Sequence, residues 1–157
     1  METEQLFNSY ANGYNLVSQA ISGLSEEEIS YKPAPDSWSI HEIIIHLADS
    51  DIVGIHRMKK VLAETDPLLT AYDQDLWANN THYARLDYKQ HLALFKLLRE
   101  SFVSLLGHVT ENDLLRTGIH SEAGKLTLKQ LLENYIKHVS THVQQIERVK
   151  QAYSSNM

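Results

Sequence analysis

Apolar side chains recur at spacings of three and four residues along four long stretches of this sequence. The last stretch shows the pattern most clearly, in one stripe formed by Leu128, Leu131, Leu132, Tyr135, Val139, Val143, Ile146 and Val149. This spacing matches the 3.6-residue turn of an α-helix and not the two-residue period of a β-strand. It predicts an amphipathic helix that is capped by Thr127 and ends near Ala152.

Three earlier stretches are predicted to be helical for the same reason. They cover about residues 3–24, 37–63 and 87–106, and in the second of them Ser39 and Glu42 have the spacing of a capping box. No stretch alternates apolar and polar residues over the length of a typical strand. We therefore predict an all-α protein in which residues 1–157 form a single four-helix-bundle domain. A globin-like packing would require more and shorter helices.

The connection between the second and third helices, residues 67–84, is unusually long for a compact domain. It contains Tyr72, Trp77 and Tyr83 but no sustained periodicity. Large aromatic side chains favour burial over disorder, and connections of this length are commonly functional. We expect this connection to cross one end of the bundle. Residues 110–126, between the third and fourth helices, are expected to form turns.

Three histidines lie on or beside the predicted buried surfaces. His138 and His142 belong to the apolar stripe of the last helix and are four residues apart, so their imidazoles can converge on one point. His46 lies at the border of the stripe on the second helix. Buried imidazoles require partners, which leaves two interpretations: a shared transition metal, or hydrogen bonds within the core.

The spacing of His138 and His142 does not decide between these interpretations. An H-x-x-x-H pair arises by chance in a chain with nine histidines, and the H-E-x-x-H motif of zinc proteases is absent because Val139 stands at the position of its Glu. Of the other histidines, His41 and His56 are predicted to be exposed on the second helix. His91 is predicted to be a core residue on the third.

The composition excludes several classes of protein and of site. Fourteen Lys and Arg against twenty Asp and Glu give a formal net charge of −6, and no basic run marks a nucleic-acid-binding surface. Because cysteine is absent, a metal site must use histidine, carboxylate or water. No apolar run approaches the ~20 residues of a membrane span, and the first residues lack a signal-peptide pattern. We expect a cytoplasmic protein that binds neither nucleic acid nor membranes.

Three motifs resemble those of the DinB superfamily, and most closely of its YfiT-like branch. They are the segment WSIHEIIIHLADS at residues 38–50, the segment AYDQDLW at residues 71–77, and the pair His138 and His142. The match in order and spacing covers nearly the whole chain. The resemblance implies a four-helix bundle that binds a divalent metal through three histidines, here His46, His138 and His142.

The resemblance also implies a choice of functions. Three neutral nitrogens would leave coordination positions open, as in catalytic sites, and either zinc or nickel would suit them, one ion per chain. The YfiT-like branch includes S-transferases that use a low-molecular-weight thiol such as bacillithiol, and its members are also described as metal-dependent hydrolases. A third hypothesis is a metal-binding or stress-response helical module that catalyses no reaction. Because relatives frequently pair, we also expect a homodimer.

The chain differs from its relatives at positions beside the three histidines. Relatives often carry histidine doublets beside the ligands, whereas this chain has Ile45 and Thr141 there. That difference leaves the three ligands in place but removes a basis for assigning a particular thiol or electrophile. Candidates for supporting roles around the metal are Asp49, Tyr72, Asp73, Asp75, Trp77 and Arg85.

Overall fold

A computed structural model describes residues 1–157, which form seven α-helices and three short strands. In chain order they are α1 (Thr3–Ala11), α2 (Gly13–Ala20), α3 (Glu26–Ser30), α4 (Ile40–Ala63), β1 (Leu68–Leu69), α5 (Gln74–Asn80), α6 (Tyr88–Leu106), β2 (Thr117–His120), β3 (Gly124–Thr127) and α7 (Leu128–Ser155). Single 3₁₀ turns cover Tyr83–Arg85 and Asp113–Leu115. Helices α4, α6 and α7 pack with the α1 and α2 segment as a four-helix bundle, which confirms the predicted fold class. None of the helices combines the length and the apolar character needed to cross a lipid bilayer.

The first predicted helix is divided and shorter than expected. Helices α1 and α2 are interrupted only at Asn12, whose amide still donates to the carbonyl of Asn8 at 3.0 Å. Helix α2 ends at Ala20 and not near residue 24. Gly23 follows with φ of 77°, a left-handed conformation that glycine adopts without strain. The left-handed turn at Gly23 therefore follows the last residue of α2 by three positions.

Local hydrogen bonds explain where the two longest helices begin. At the start of α4, the Glu42 amide donates to Ser39 Oγ at 3.2 Å, and the Ser39 amide donates to Glu42 Oε1 at 3.1 Å. Thr127 and Gln130 form the same reciprocal capping box at the start of α7. Each box satisfies amides that lack partners within the helix, so it fixes the starting residue and thus the face that points inward.

The connection between α4 and α6 is structured, and its first part joins a small sheet. Strand β1 pairs in parallel with β2, placing Leu68 opposite Ile119, and β2 pairs antiparallel with β3. Further along, α5 buries Ala78 and the following 3₁₀ turn buries Tyr83 completely. The expectation that the chain contains no strands was therefore wrong. These strands have two to four residues each, too few to show an alternating pattern.

The bundle core consists of two large apolar clusters with a charged pair between them. Along α4, Leu47 and Ala48 belong to one cluster and Ile55 and Met58 to the other, with Asp51 between them. Along α6, Arg99 likewise separates Phe95 from Phe102 in the two clusters. Both charged side chains are 2% exposed, and they form an ion pair. A polar layer therefore divides the core.

Candidate metal centre

Three histidines from helices α4 and α7 meet inside the bundle. His46 lies in the second turn of α4, and His138 and His142 lie one turn apart in the middle of α7. The two helices approach closely because Gly54 on α4 faces the aromatic ring of Tyr135 on α7. A Cβ atom at position 54 would collide with that ring. This close approach brings the histidines of the two helices within reach of one another.

The ring nitrogens of these residues converge. His138 Nε2 lies 3.0 Å from His46 Nε2 and 3.0 Å from His142 Nε2. One potential ligand atom from each of the three residues lies within 4.8 Å of the others. Nitrogens bound to one zinc ion at about 2.0–2.1 Å are separated by about 3.3 Å in a tetrahedral site, and by slightly less in an octahedral one. His46, His138 and His142, here called the three-histidine cluster, could therefore hold one metal ion.

Hydrogen bonding alone does not account for the three-histidine cluster. His142 Nδ1–H donates to Gln145 Oε1 at 2.8 Å, which leaves a lone pair on His142 Nε2. His138 Nε2 faces two nitrogens, but in a neutral imidazole it carries one hydrogen or one lone pair and so forms only one linear hydrogen bond. The Nδ1 atoms of His46 and His138 are buried without a partner. This donor set fits a cation held by Nε2 lone pairs better than a hydrogen-bonded core.

Burial keeps the three imidazoles uncharged. Desolvation lowers the pKa of His46 to about 2, and the neighbouring His142 and His138 add to this shift. Desolvation lowers the pKa of His138 to about 3, with further contributions from His142 and Arg99. It also lowers the pKa of His142, although the hydrogen bond to Gln145 opposes the shift. Near neutral pH the cluster is therefore in the form in which imidazole binds metals.

Trp38 and a surface cleft lie beside the three-histidine cluster. The centroid of the Trp38 ring is 4.8 Å from that of His46 and 6.5 Å from that of His142, over which it stacks at 20°. The cleft has a volume of about 310 Å³ and is lined by Asp36, Ser37, Trp38, Gln74, Asp75, His142 and Gln145. A larger cleft of about 530 Å³ lies at the other end of the molecule and contains no histidine. The smaller cleft therefore gives small molecules a route to His142.

Comparison with known proteins assigns the family. Residues 10–146 match the family model described as the DinB superfamily. The chain belongs to the DinB superfamily. The resemblance seen in the sequence motifs is confirmed by this match, which runs from the end of α1 into α7 and includes all three histidines of the cluster.

Individual relatives of this DinB protein carry consistent names. A protein of Bacillus licheniformis named "Putative metal-dependent hydrolase" is 29% identical over 147 residues, which are 93% of this chain and 84% of the relative. YfiT from Bacillus subtilis, with the same name, is 25% identical over 131 residues, 83% of this chain and 74% of YfiT. The solved YfiT structure, described as having an unusual four-helix bundle topology, has a TM-score of 0.89 at 21% identity and covers 98% of this chain and 88% of its own. The fold is therefore shared.

The six residues predicted as candidates for supporting roles around the metal have different positions in this DinB protein. Asp75 lines the cleft. Asp73 caps α5, because its Oδ1 accepts hydrogen bonds from the amides of Asp75 and Leu76. Tyr72 packs edge-on against Trp77 with ring centroids 4.7 Å apart. Arg85 is exposed, and its side chain forms no hydrogen bond or ion pair within the chain. Only Asp75 among these residues borders the route to the cluster.

Asp49 is tied to a buried tyrosine. The hydroxyl of Tyr83 donates to Asp49 Oδ2 at 2.6 Å. The main-chain carbonyl of the same Tyr83 lies 2.9 Å from His41 Nε2. His41 is therefore half-buried, which corrects its predicted exposure, whereas His56 is exposed as predicted. His91 is only half-buried, which corrects its predicted position in the core, and its Nδ1 forms one hydrogen bond to the Asp87 carbonyl at 2.8 Å.

The roles of three residues near the cluster were not predicted from the sequence. Gln145 follows His142 by three residues, the spacing of neighbours on one helix face, which is the signal that could have identified it. Asp51 and Arg99 each occupy a position of the apolar seam, between buried hydrophobic residues on both sides. A charged residue in such a position signals a buried ion pair. Its partner on another helix cannot be read from the periodicity.

Chelator-treated protein is expected to lose unfolding free energy as the pH falls below about 6.5. The unfolded chain takes up protons on its histidines near pH ~6.5, whereas His46 and His138 in the folded chain stay neutral until much lower pH. Below pH ~6.5, each of these two residues therefore lowers the free energy of unfolding by about 1.4 kcal/mol per pH unit. Urea titrations between about pH 7 and about pH 5 measure this slope. The slope should be smaller in His46→Leu and unchanged in His56→Ala. Equal slopes in the parent protein and His46→Leu would contradict a buried neutral His46.

Proposed function

We propose that His46, His138 and His142 bind one divalent metal ion, zinc or nickel, in each chain. The observation that carries this proposal is the approach of His138 Nε2 to within 3.0 Å of the Nε2 atoms of both other histidines. Gln145 supports it by fixing the tautomer of His142, as the second partner of a ligating histidine commonly does. Three neutral ligands leave open positions, and through them a bound ion would stabilise the deprotonated form of a thiol or of water.

We further propose that the protein is a transferase that joins a low-molecular-weight thiol to a small electrophile. The cleft beside His142 has the size of a small-molecule site and leads to the three-histidine cluster. Trp38 covers His46 and His142 and would limit the access of bulk water to the reacting atoms. In such a reaction the thiol proton is released to solvent, sulfur forms a bond to the electrophilic carbon, and the bond from that carbon to its leaving group breaks, with the leaving group taking the electron pair. The cytoplasm, where thiols are kept reduced, is the compartment that we propose for it.

The charge of the cleft favours a particular class of substrate. Asp36 and Asp75 lie at its rim, its other polar side chains are Ser37, Gln74, Gln145 and His142, and it contains no lysine or arginine. Two carboxylates without a basic counterpart repel anionic molecules and attract those that carry an amine. We therefore propose that the electrophile bound in the cleft is neutral or carries an amine, in preference to one with several carboxylates.

A metal-dependent hydrolase is the alternative, and the names of the relatives favour it. In that case water would take the place of the thiol in the open position, and an ester or amide would occupy the cleft. The ligands and the cleft would be the same in both reactions. Only the identity of the nucleophile distinguishes the two proposals.

A substrate screen tests these proposals directly. Protein purified without a histidine tag is loaded with zinc or nickel and assayed with bacillithiol, glutathione or coenzyme A together with a general electrophile, and separately with esters and amides. Thiol-dependent turnover that disappears in His138→Ala would support the transferase. Hydrolysis without added thiol would support the alternative. Full metal occupancy without turnover on any substrate would contradict both and leave a non-catalytic metal-binding module.

We also propose that two copies pair through the outer face of the short sheet. Leu68 and Ile119 are register partners on β1 and β2, and they are 61% and 46% exposed. A two-fold contact would remove this apolar surface from water. Sedimentation at micromolar concentration should then show a species larger than the 18.0 kDa chain, and Ile119→Asp should shift it toward the monomer. A monomer alone in the parent protein would contradict the pairing.

A further inference from the structure

One buried arginine connects all parts of the bundle. Arg99 on α6 is almost completely buried. Its Nε and Nη2 donate to the two carboxylate oxygens of Asp51 on α4 at 2.6 and 2.9 Å. Its Nη1 donates to the carbonyl of Tyr10 on α1 at 3.0 Å, and its Nη2 also reaches the carbonyl of Tyr135 on α7 at 3.3 Å. A single guanidinium therefore bonds the three other helical segments.

The surroundings of Arg99 are shaped to receive it. Its guanidinium carbon lies 4.0 Å from the centroid of the Tyr10 ring and 5.2 Å from that of Phe95, both within cation–π range. Gly13 on α2 leaves space for the side chain, since a Cβ atom there would lie 3.0 Å from Arg99 Nη1. The fold thus accommodates a full-length arginine at the centre of its core.

Stability does not explain why the core contains this pair. Desolvation of two buried charges offsets most of their attraction, and well-packed hydrophobic residues in place of a buried ion pair are often neutral or stabilising. What an ion pair adds is direction, because its bidentate geometry is satisfied in only one arrangement of the two groups. Apolar contacts, by contrast, are non-directional. The bidentate geometry of the Arg99–Asp51 pair is therefore met in only one placement of α4 and α6 along one another.

The pair lies close to the three-histidine cluster along both helices. Asp51 follows His46 by five residues on α4, about 7.5 Å along the axis at the usual helical rise. Tyr135, whose carbonyl accepts from Arg99, precedes His138 by three residues on α7, about 4.5 Å along the axis. Arg99 therefore links the segment of α4 that carries one histidine to the segment of α7 that carries the other two.

We propose that Arg99 and Asp51 are positioning residues for the metal centre, which hold α4 and α7 in the register that brings His46 onto His138 and His142. This inference rests on the proposed function, because it assigns the pair its role through metal binding. Metal–ligand distances must be met within about 0.2 Å, whereas one residue of helical rise is about 1.5 Å. A slide by a fraction of one residue between α4 and α7 would thus separate His46 from the other ligands.

The test replaces the pair by apolar residues. The double variant Arg99→Met/Asp51→Leu should remain helical and unfold cooperatively, because it leaves no unpaired buried charge. Its zinc affinity, measured by competition with a chromophoric chelator, should be weaker by about 10–100-fold, the range observed when residues supporting metal ligands are removed. The visible absorption of the Co²⁺-loaded variant should be weaker or shifted relative to the parent protein, since its ligand geometry is altered.

Two further variants separate positioning from stability. Met58→Ala leaves a cavity on α4, in the apolar cluster that contains Ile55 and Phe102. It should therefore lower the melting temperature and leave zinc affinity and the Co²⁺ spectrum unchanged. Arg99→Lys keeps the charge but loses the bidentate fork, so it should weaken zinc binding in the same direction, and it serves as the test if the double variant does not fold.

Three results would contradict the positioning role. A folded double variant with the zinc affinity and Co²⁺ spectrum of the parent protein would overturn it while leaving the proposed function intact. If instead Met58→Ala weakened zinc binding as much as the double variant, general loosening of the bundle would explain both effects, and the inference would fall. A parent protein that binds no metal would refute the proposed function, and with it this inference.

Discussion

Replacement of His46, His138 or His142 by alanine is expected to weaken zinc binding by more than about a hundredfold. Loss of a residue that merely supports a ligand costs 10–100-fold in metal affinity, and loss of the ligand itself should cost more. The effect should be similar for the three positions, because the approach of His138 Nε2 to both other nitrogens makes each residue part of one set. Chelator competition with each purified variant measures the affinity.

Two other histidines on α4 provide controls for these variants. His56 is exposed, and the Nε2 atom of His41 is engaged by the Tyr83 carbonyl at 2.9 Å. His56→Ala and His41→Ala should therefore bind zinc with the affinity of the parent protein. Equal affinity in all five variants would reject the assignment of the ligands, and a loss confined to His138→Ala and His142→Ala would remove His46 from the set.

The second large effect concerns the buried pair. Asp51→Ala is expected to lower the free energy of unfolding by about 3–5 kcal/mol, because it leaves the Arg99 guanidinium charged and buried without its counterion. That loss is a large part of the 5–15 kcal/mol by which a typical domain is stable. Urea denaturation followed by circular dichroism measures it, and Arg99→Ala should lower stability by a similar amount.

An exposed ion pair gives the contrast to Asp51→Ala. Lys60 Nζ and Glu64 Oε1 are 3.3 Å apart at the C-terminal end of α4, with side chains 28% and 53% exposed. Glu64→Ala should therefore change the free energy of unfolding by less than about 1 kcal/mol. The apolar double variant at positions 51 and 99 should recover most of the stability that Asp51→Ala loses. A loss in Asp51→Ala no larger than that in Glu64→Ala would contradict an uncompensated charge at Arg99.

Features set by local interactions were predictable from the sequence. The start of α4 follows from the Ser39–Glu42 capping box, and the inward direction of His138 and His142 follows from the period of α7. The resemblance of the motifs also identified the family correctly. The three short strands were not predictable, because the pairing of Leu68 with Ile119 joins a segment that precedes α6 in the sequence to one that follows it, and leaves no local pattern.

Features set by tertiary packing were not predictable in the same way. His46 was placed at the border of its helical stripe, yet it is completely buried, because Trp38 packs against its ring from outside the regular part of α4. The half-buried position of His41 has a similar cause, since Tyr83 reaches it from the connection after α5. Helical periodicity describes one helix at a time and cannot show which neighbouring segment covers it.

The metal content of the protein tests the central claim most directly. The chain is purified without a histidine tag, stripped with a chelator, exposed to excess zinc or nickel, dialysed and analysed by elemental mass spectrometry. The three-histidine cluster predicts close to one metal ion per chain in the reloaded protein at about pH 7.5, where unperturbed and buried histidines alike are neutral. A folded, reloaded protein that retains no metal would contradict it.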